Sequence, residues 1–107
     1  LVRAYLADNG FMITREALVQ DRGTLYTVME AKAGKMELSF SQIWGGACLL
    51  HDSLADRYLI ERIVRTLMAL AGAKRSGRAD AKKTRELREI LAALLRAREE
   101  WRCANCK

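Results

Sequence analysis

From residue 52 onward large apolar residues recur in two stripes at helical spacing, separated by a basic stretch, Lys74 to Glu86, that contains none. Leu54, Tyr58, Leu59, Ile63, Val64, Leu67 and Met68 make up the first stripe. Leu87, Ile90, Leu91, Leu94, Leu95 and Trp101 make up the second. Residues three and four apart share one face of an α-helix, so each stripe predicts a helix with one apolar side. Neither helix can bury that side alone. Two such helices of about 20 residues, hence ~30 Å long at 1.5 Å per residue, are predicted to pair antiparallel across the short connection. Ser53 is the expected N-cap of the first, with Asp56 in its first turn. Gly72 marks the region of its end, and Asp80 is the expected cap of the second helix.

Before residue 50 the pattern is different. "LVRAYLADNG" reads as a helix that stops at Asn9-Gly10. "FMITREALVQ" alternates, with Ile13, Ala17 and Val19 expected on one side and Thr14 and Glu16 on the other, as in a half-buried strand. "DRG", Asp21 to Gly23, is a turn, and "TLYTVMEAKAG" is a second strand. The two strands predict an antiparallel β-hairpin. Residues 35–50 read as an irregular connector broken at Gly45-Gly46, with Phe40 and Trp44 buried. The fold class is therefore α+β, with residues 1–50 carrying a helix, two strands and a connector, and residues 51–107 a helical hairpin of coiled-coil type.

The helical hairpin also holds the charge. Residues 1–73 contain eight basic and eight acidic residues and sum to zero, whereas 74–88 contain seven basic and two acidic residues and sum to +5 of the chain's +6. That excess falls on the connection between the helices and the first turns of the second, at the far tip of the arm. A pI near 9.6 with the charge gathered at one place points to an anionic partner, nucleic acid first. Lys74, Arg75, Arg78, Lys82 and Lys83 are the candidate contacts. The competing reading is a solvated loop whose charge only keeps it soluble.

Other classes find less support. No apolar run approaches the ~20 residues that span a bilayer, so no membrane partner is expected. Three cysteines and no basic leader before an apolar core favour a reducing, cytoplasmic setting. Cys48 and His51 form a C-x-x-H, and Cys103 and Cys106 a C-x-x-C. An antiparallel helical hairpin would bring the two pairs to its open end, where three thiolates and an imidazole suit tetrahedral zinc. A buried small residue and a frayed tail explain the same cysteines without metal. The C-x-x-C follows a helix, unlike a redox motif at a helix N-terminus. Trp44 and Trp101 are expected in packing at the base of the arm.

"LVRAYLADNGFMITREALVQDRGTLYTVMEAKAG" resembles the segment after the fifth strand of bacterial TrmK-type tRNA methyltransferases. Leu1, Leu6, Asn9, Gly10, Phe11, Ile13, Glu16, Leu18, Val19, Gly23 and Tyr26 fit the family pattern. Arg3 stands one place later than the family's arginine, and Asp21 near an acidic position. Gly46, Leu49 and Leu50 fit a later stretch, with Ala47 in place of its proline. The resemblance implies that residues 1–50 end a Rossmann-like methyltransferase domain, with the strands at the edge of its sheet. It makes residues 51–107 an accessory arm that helps engage tRNA. It also implies transfer of a methyl group from S-adenosylmethionine to N1 of an adenine.

In that family the methyl donor sits on a glycine-rich loop, and none of the seven glycines here forms Gly-x-Gly. The chain itself is therefore expected not to bind S-adenosylmethionine and to be inactive alone. A start at Leu1 with no Met, and a two-stranded sheet too small to be stable by itself, both suggest a piece of a longer protein. Self-association through the exposed hairpin edge is another way to satisfy that sheet. The alternatives are a stand-alone nucleic-acid-binding module and a zinc-stabilised helical interaction module.

Overall fold

The computed structural model describes residues 2–75 and 81–105. Its elements are α1 (Val2–Asp8), β1 (Phe11–Asp21), β2 (Thr24–Ala33), α2 (Phe40–Gly45), α3 (Ala55–Arg75) and α4 (Ala81–Asn105). Strands β1 and β2 form a two-stranded antiparallel sheet. Asp21 pairs with Thr24, so Arg22 and Gly23 alone make the turn, with φ of 52° and 80°. Positive φ at both positions is the two-residue geometry that matches strand twist, and glycine takes the second without steric cost.

The register of β1 differs from simple alternation. Ile13 faces Ala31 but Arg15 faces Glu30, which leaves Thr14 as the extra residue of a bulge. One extra residue shifts the side-chain phase by one. As a result Ile13, Glu16 and Leu18 turn inward, whereas Ala17 and Val19 are exposed. The expectation that Ala17 and Val19 share the buried side with Ile13 is therefore corrected. Outside, Ala17 pairs with Val28 and Val19 with Tyr26, and Val19, Tyr26 and Val28 are each about half exposed.

The connector is also more regular than expected. Ser39 caps α2: its hydroxyl accepts from the Gln42 amide at 3.2 Å, while the Gln42 side chain accepts from the Ser39 amide at 2.9 Å. These reciprocal bonds satisfy two otherwise orphaned donors and allow a helix of only six residues. Phe40 is exposed rather than buried, and meets Trp44 edge-on at 6.3 Å between ring centroids. Gly45 is the last residue of α2, and it is small for a packing reason: a Cβ there would lie 2.6 Å from the Ala97 Cβ of α4. Gly46, at φ 111°, leaves the helix.

Helices α3 and α4 pair antiparallel as expected. Asp56 at the start of α3 accepts from Arg98 near the end of α4 at 2.7 Å. The Trp101 indole donates to the Asp52 carbonyl at 3.0 Å, and the Asn105 amide to the Leu50 carbonyl at 2.7 Å. The expected Ser53 cap is replaced: α3 begins at Ala55, and Asp52 supplies the carboxylate that accepts from the Leu54 amide. Its other carboxylate oxygen accepts from the Leu18 amide, so one side chain starts the helix and ties it to β1. The cap expected at Asp80 lies outside the described residues.

The core gathers at the base of the arm, from Leu18, Leu49, Ala55, Tyr58, Leu59 and Leu94, with Trp44, Ile63, Ile90 and Trp101 packed around it. The first stripe is buried only in its first half. Val64, Leu67 and Met68 are exposed and, with Ile60, lie opposite the face of Ala55, Leu59 and Thr66. Helix α3 is thus apolar on two sides, and one of them faces solvent. Leu95 of the second stripe is exposed too. The radius of gyration, 15.0 Å, exceeds the ~13 Å of a compact chain this long, as a projecting arm requires.

Candidate nucleic-acid interface

The arm carries its basic residues on both sides of its tip. Lys74 and Arg75 lie in the last turn of α3, and Lys82 and Lys83 in the first turn of α4; all four are exposed. Arg78 lies outside the described residues. The antiparallel pairing brings the two helix ends to one end of the molecule. Cations in the last turn of α3 complement its dipole, whereas α4 has no acidic residue in its first turn to complement its own.

At the other end a buried ionic hub holds the arm to the hairpin. The Glu16 side chain has 0 % exposure and that of Arg3 6 %. Arg3 Nε donates to one Glu16 oxygen at 2.6 Å. The other oxygen accepts from the backbone amides of Ala47 at 2.8 Å and Cys48 at 2.7 Å. The Arg3 guanidinium also donates to the Ile43 carbonyl at 3.3 Å and the Tyr58 hydroxyl at 3.4 Å. One pair therefore joins α1, β1, α2, the loop after it and α3. Arg57 adds an outer tie from α3 to the Gly23 carbonyl at 3.0 Å. The bulge made this hub possible by turning Glu16 inward.

The hub sets the ionisation of its neighbours. Burial alone would depress the Arg3 guanidinium, but the Tyr58 oxygen and Glu16 carboxylate facing it hold it above its ordinary value. Burial would raise the Tyr58 phenol, yet Arg3, and then Arg62, bring it below its ordinary value. The Cys48 thiol is pushed up by burial and by the Glu16 carboxylate. Cys48 therefore has less thiolate character than a free cysteine.

Beside the hub, Arg62 lies 5.3 Å from the centroid of Tyr58 and 6.0 Å from that of Trp44. These distances are within reach of cation–π attraction. Trp44 and Trp101 do pack at the base of the arm. Of the four candidate zinc ligands, Cys106 lies outside the described residues. Cys48, His51 and Cys103 are exposed, and among the described residues no group of three His, Cys, Asp or Glu side chains is placed to hold a metal. Among the described residues no helix is long and apolar enough to cross a membrane.

Sequence reasoning missed the Arg3–Glu16 pair as a unit and gave Arg62 and Arg65 no role. The signal for Glu16 was a carboxylate in a largely apolar strand, next to Ala17 and Leu18. Its buried side depends on a bulge that alternation does not announce.

A family model described as TrmK, tRNA (adenine(22)-N(1))-methyltransferase, matches residues 1–97. No curated protein matches the chain significantly. Among solved structures, a Streptococcus agalactiae protein of the NADB-Rossmann superfamily aligns with a TM-score of 0.74 at 19% identity, covering 91% of this chain and 42% of its own. A Streptococcus pneumoniae protein assigned as a tRNA (m1A22) methyltransferase, in complex with S-adenosyl-L-methionine, aligns with a TM-score of 0.69 at 21% identity. That alignment covers 91% of this chain and 41% of that one. A Listeria monocytogenes serotype 4b protein aligns with a TM-score of 0.71 at 18% identity, over 90% of this chain and 45% of its own. The chain thus spans less than half the length of these structures.

Proposed function

The chain belongs to the TrmK family of tRNA (adenine(22)-N(1))-methyltransferases, and on that premise we propose that it is the part of such an enzyme that holds and presents tRNA. Residues 1–50 form the outer end of the methyltransferase domain, and residues 51–107 form a coiled-coil arm reaching along the substrate. The half-exposed apolar pairs Ala17–Val28 and Val19–Tyr26 support the first assignment, because a sheet face of that composition calls for a covering layer. S-adenosylmethionine is held by residues beyond these 107, since no glycine pair here has the Gly-x-Gly spacing of a donor loop.

The observation that carries the proposal is the placement of Lys74, Arg75, Lys82 and Lys83, exposed on two antiparallel helices at one end of the arm. Arg78 belongs to the same set by sequence. A tip ~30 Å along the arm lies too far out to share a pocket with the reacting adenine. Its contacts are to phosphate, which position the substrate without reading it. The hub at the base keeps the arm at a fixed angle to the hairpin, so a contact at the tip orients the RNA at the methyltransferase domain.

The test is the affinity of the whole enzyme for tRNA across a salt series, with Lys74, Arg75, Arg78, Lys82 and Lys83 all replaced by Ser. Each lost phosphate contact lowers the slope of log affinity against log salt by about 0.7 to 0.9. The expected change is therefore about 3.5 to 4.5 if all five engage. Affinity for the methyl donor stays the same, and the rate at saturating tRNA falls little, as for lost uniform binding. Equal slopes in the two proteins would show that the tip charge serves solubility alone. Self-association through the exposed hairpin edge would appear as a concentration-dependent mass in sedimentation.

A further inference from the structure

A cavity of about 110 Å³ lies between α2 and the arm, lined by Trp44, Arg62, Arg65, Thr66, Ile90 and Leu94. Two of its lining residues hold buried donors, Trp44 Nε1 and Arg62 Nε, that have no hydrogen-bond partner among the described residues. Buried polar groups are nearly always paired, and an orphaned donor costs the fold its lost hydration. Two orphans at one cavity need an explanation that one orphan does not.

The chemistry of the lining is one-sided. Indole and guanidinium nitrogens only donate. The Thr66 hydroxyl already donates to the Arg62 carbonyl at 2.9 Å. No carboxylate lines the cavity. Glu16 is taken by Arg3 and Glu61 by Arg57, so among the described residues neither Arg62 nor Arg65 has a carboxylate partner. Arg65 is exposed, which opens the cavity to solvent. Two guanidinium groups without a carboxylate ion pair and a neutral N–H donor in a half-dry recess suit an acceptor that is negatively charged and small, with several oxygens.

We propose that this cavity between α2 and the arm, through Trp44, Arg62 and Arg65, binds a phosphate of the RNA backbone. The proposal rests on the reading of the arm as a tRNA-holding element. It extends the contact from the tip toward the base. Arg65 lies ten residues before Arg75, about 15 Å along α3, so one stretch of backbone can meet both. Stacking against Tyr58 and Trp44 holds the Arg62 side chain in place before the ligand arrives, which lowers the entropy lost on binding.

The two tryptophans supply the test. Trp101 Nε1 is already bonded to the Asp52 carbonyl, whereas Trp44 Nε1 has no partner among the described residues. With nitrogen-15 in the tryptophan rings, the Trp44 indole N–H resonance should move saturably as unmodified tRNA is added, and that of Trp101 should stay. Trp44→Phe assigns the signals. It keeps an aromatic ring beside Arg62 and removes one orphaned donor, so its melting temperature should not fall.

Arg65→Gln should weaken tRNA binding about tenfold and lower the salt slope by about one. Trp44→Phe should weaken binding about threefold at an unchanged slope, because it removes a donor but no charge. A Trp44 resonance unmoved by saturating tRNA, with the tip variant still impaired, would overturn this inference and leave the proposed function standing. Movement with inorganic phosphate but not with tRNA would mark a small-anion site and overturn the RNA assignment. Failure of tRNA to bind the whole enzyme would remove both.

Discussion

Replacing Glu16 with Ala removes the acceptor at the centre of the buried hub. The Glu16 carboxylate has no exposure and takes three hydrogen bonds, from Arg3 and from the Ala47 and Cys48 amides. Without it, the Arg3 charge stays buried with only two long contacts, to the Ile43 carbonyl and the Tyr58 hydroxyl. Breaking one side of a buried pair typically costs about 3 to 5 kcal/mol. The loss of acceptors for two amides acts in the same direction but overlaps with it, so about 4 kcal/mol is the working value. For a domain of this size that corresponds to a fall in melting temperature on the order of 20 °C.

The control is the double variant Arg3→Met with Glu16→Leu, which removes both charges and keeps the volume. It should recover most of the loss, because an apolar pair avoids the desolvation cost. It should not recover all of it. The Ala47 and Cys48 amides remain without an acceptor, at about 1 to 3 kcal/mol if they stay buried. Urea denaturation of the three proteins, read by tryptophan fluorescence and circular dichroism, measures each step. A Glu16→Ala loss below about 1 kcal/mol would refute the reasoning, since it would make the pair no stronger than a surface bridge. A double variant as unstable as the single one would also refute it.

Gly45→Ala should destabilise the chain by about 2 kcal/mol, because its Cβ would stand 2.6 Å from that of Ala97 and 3.3 Å from Leu59; an unchanged denaturation midpoint would mean that α2 and α4 are not locked there. Cys48, in a chain whose other two cysteines are Ser, should be alkylated with a pH profile displaced above that of a free thiol. A profile at or below the free-thiol position would show that burial and Glu16 do not raise it. The Tyr58 phenol has a folded pKa below its unfolded value of about 10. Its ionisation therefore adds stability as pH rises through the folded pKa toward the unfolded one, and that increment is lost as pH falls. The stability gap between wild type and Tyr58→Phe should widen as pH approaches 10, and a constant gap would count against the Arg3 contact.

Periodicity and turn chemistry by themselves determined the order of every element but α2. The turn read as Asp21 to Gly23 was legible because its residues break two alternating runs, and the structure narrows it to Arg22 and Gly23. The helical arm was legible because an apolar stripe at three- and four-residue spacing suits no other element. The basic tip followed from counting charge. The Ser39-x-x-Gln42 box that starts α2 was equally local and could have been read, but Gly45-Gly46 drew attention to a break instead.

Only the tertiary structure decided which faces are inside. The bulge at Thr14 changes the phase of β1, and a phase change is set by what the partner strand and the helices beneath it require. It carried Glu16 inward to Arg3, thirteen residues away, and to the Ala47 and Cys48 amides, more than thirty residues away. The same is true of α3, whose Val64, Leu67 and Met68 are as apolar as the residues it buries. Helical spacing states that a face exists. Which of two faces is covered depends on where β1, α2 and α4 lie, and that placement comes from contacts between segments far apart in the chain.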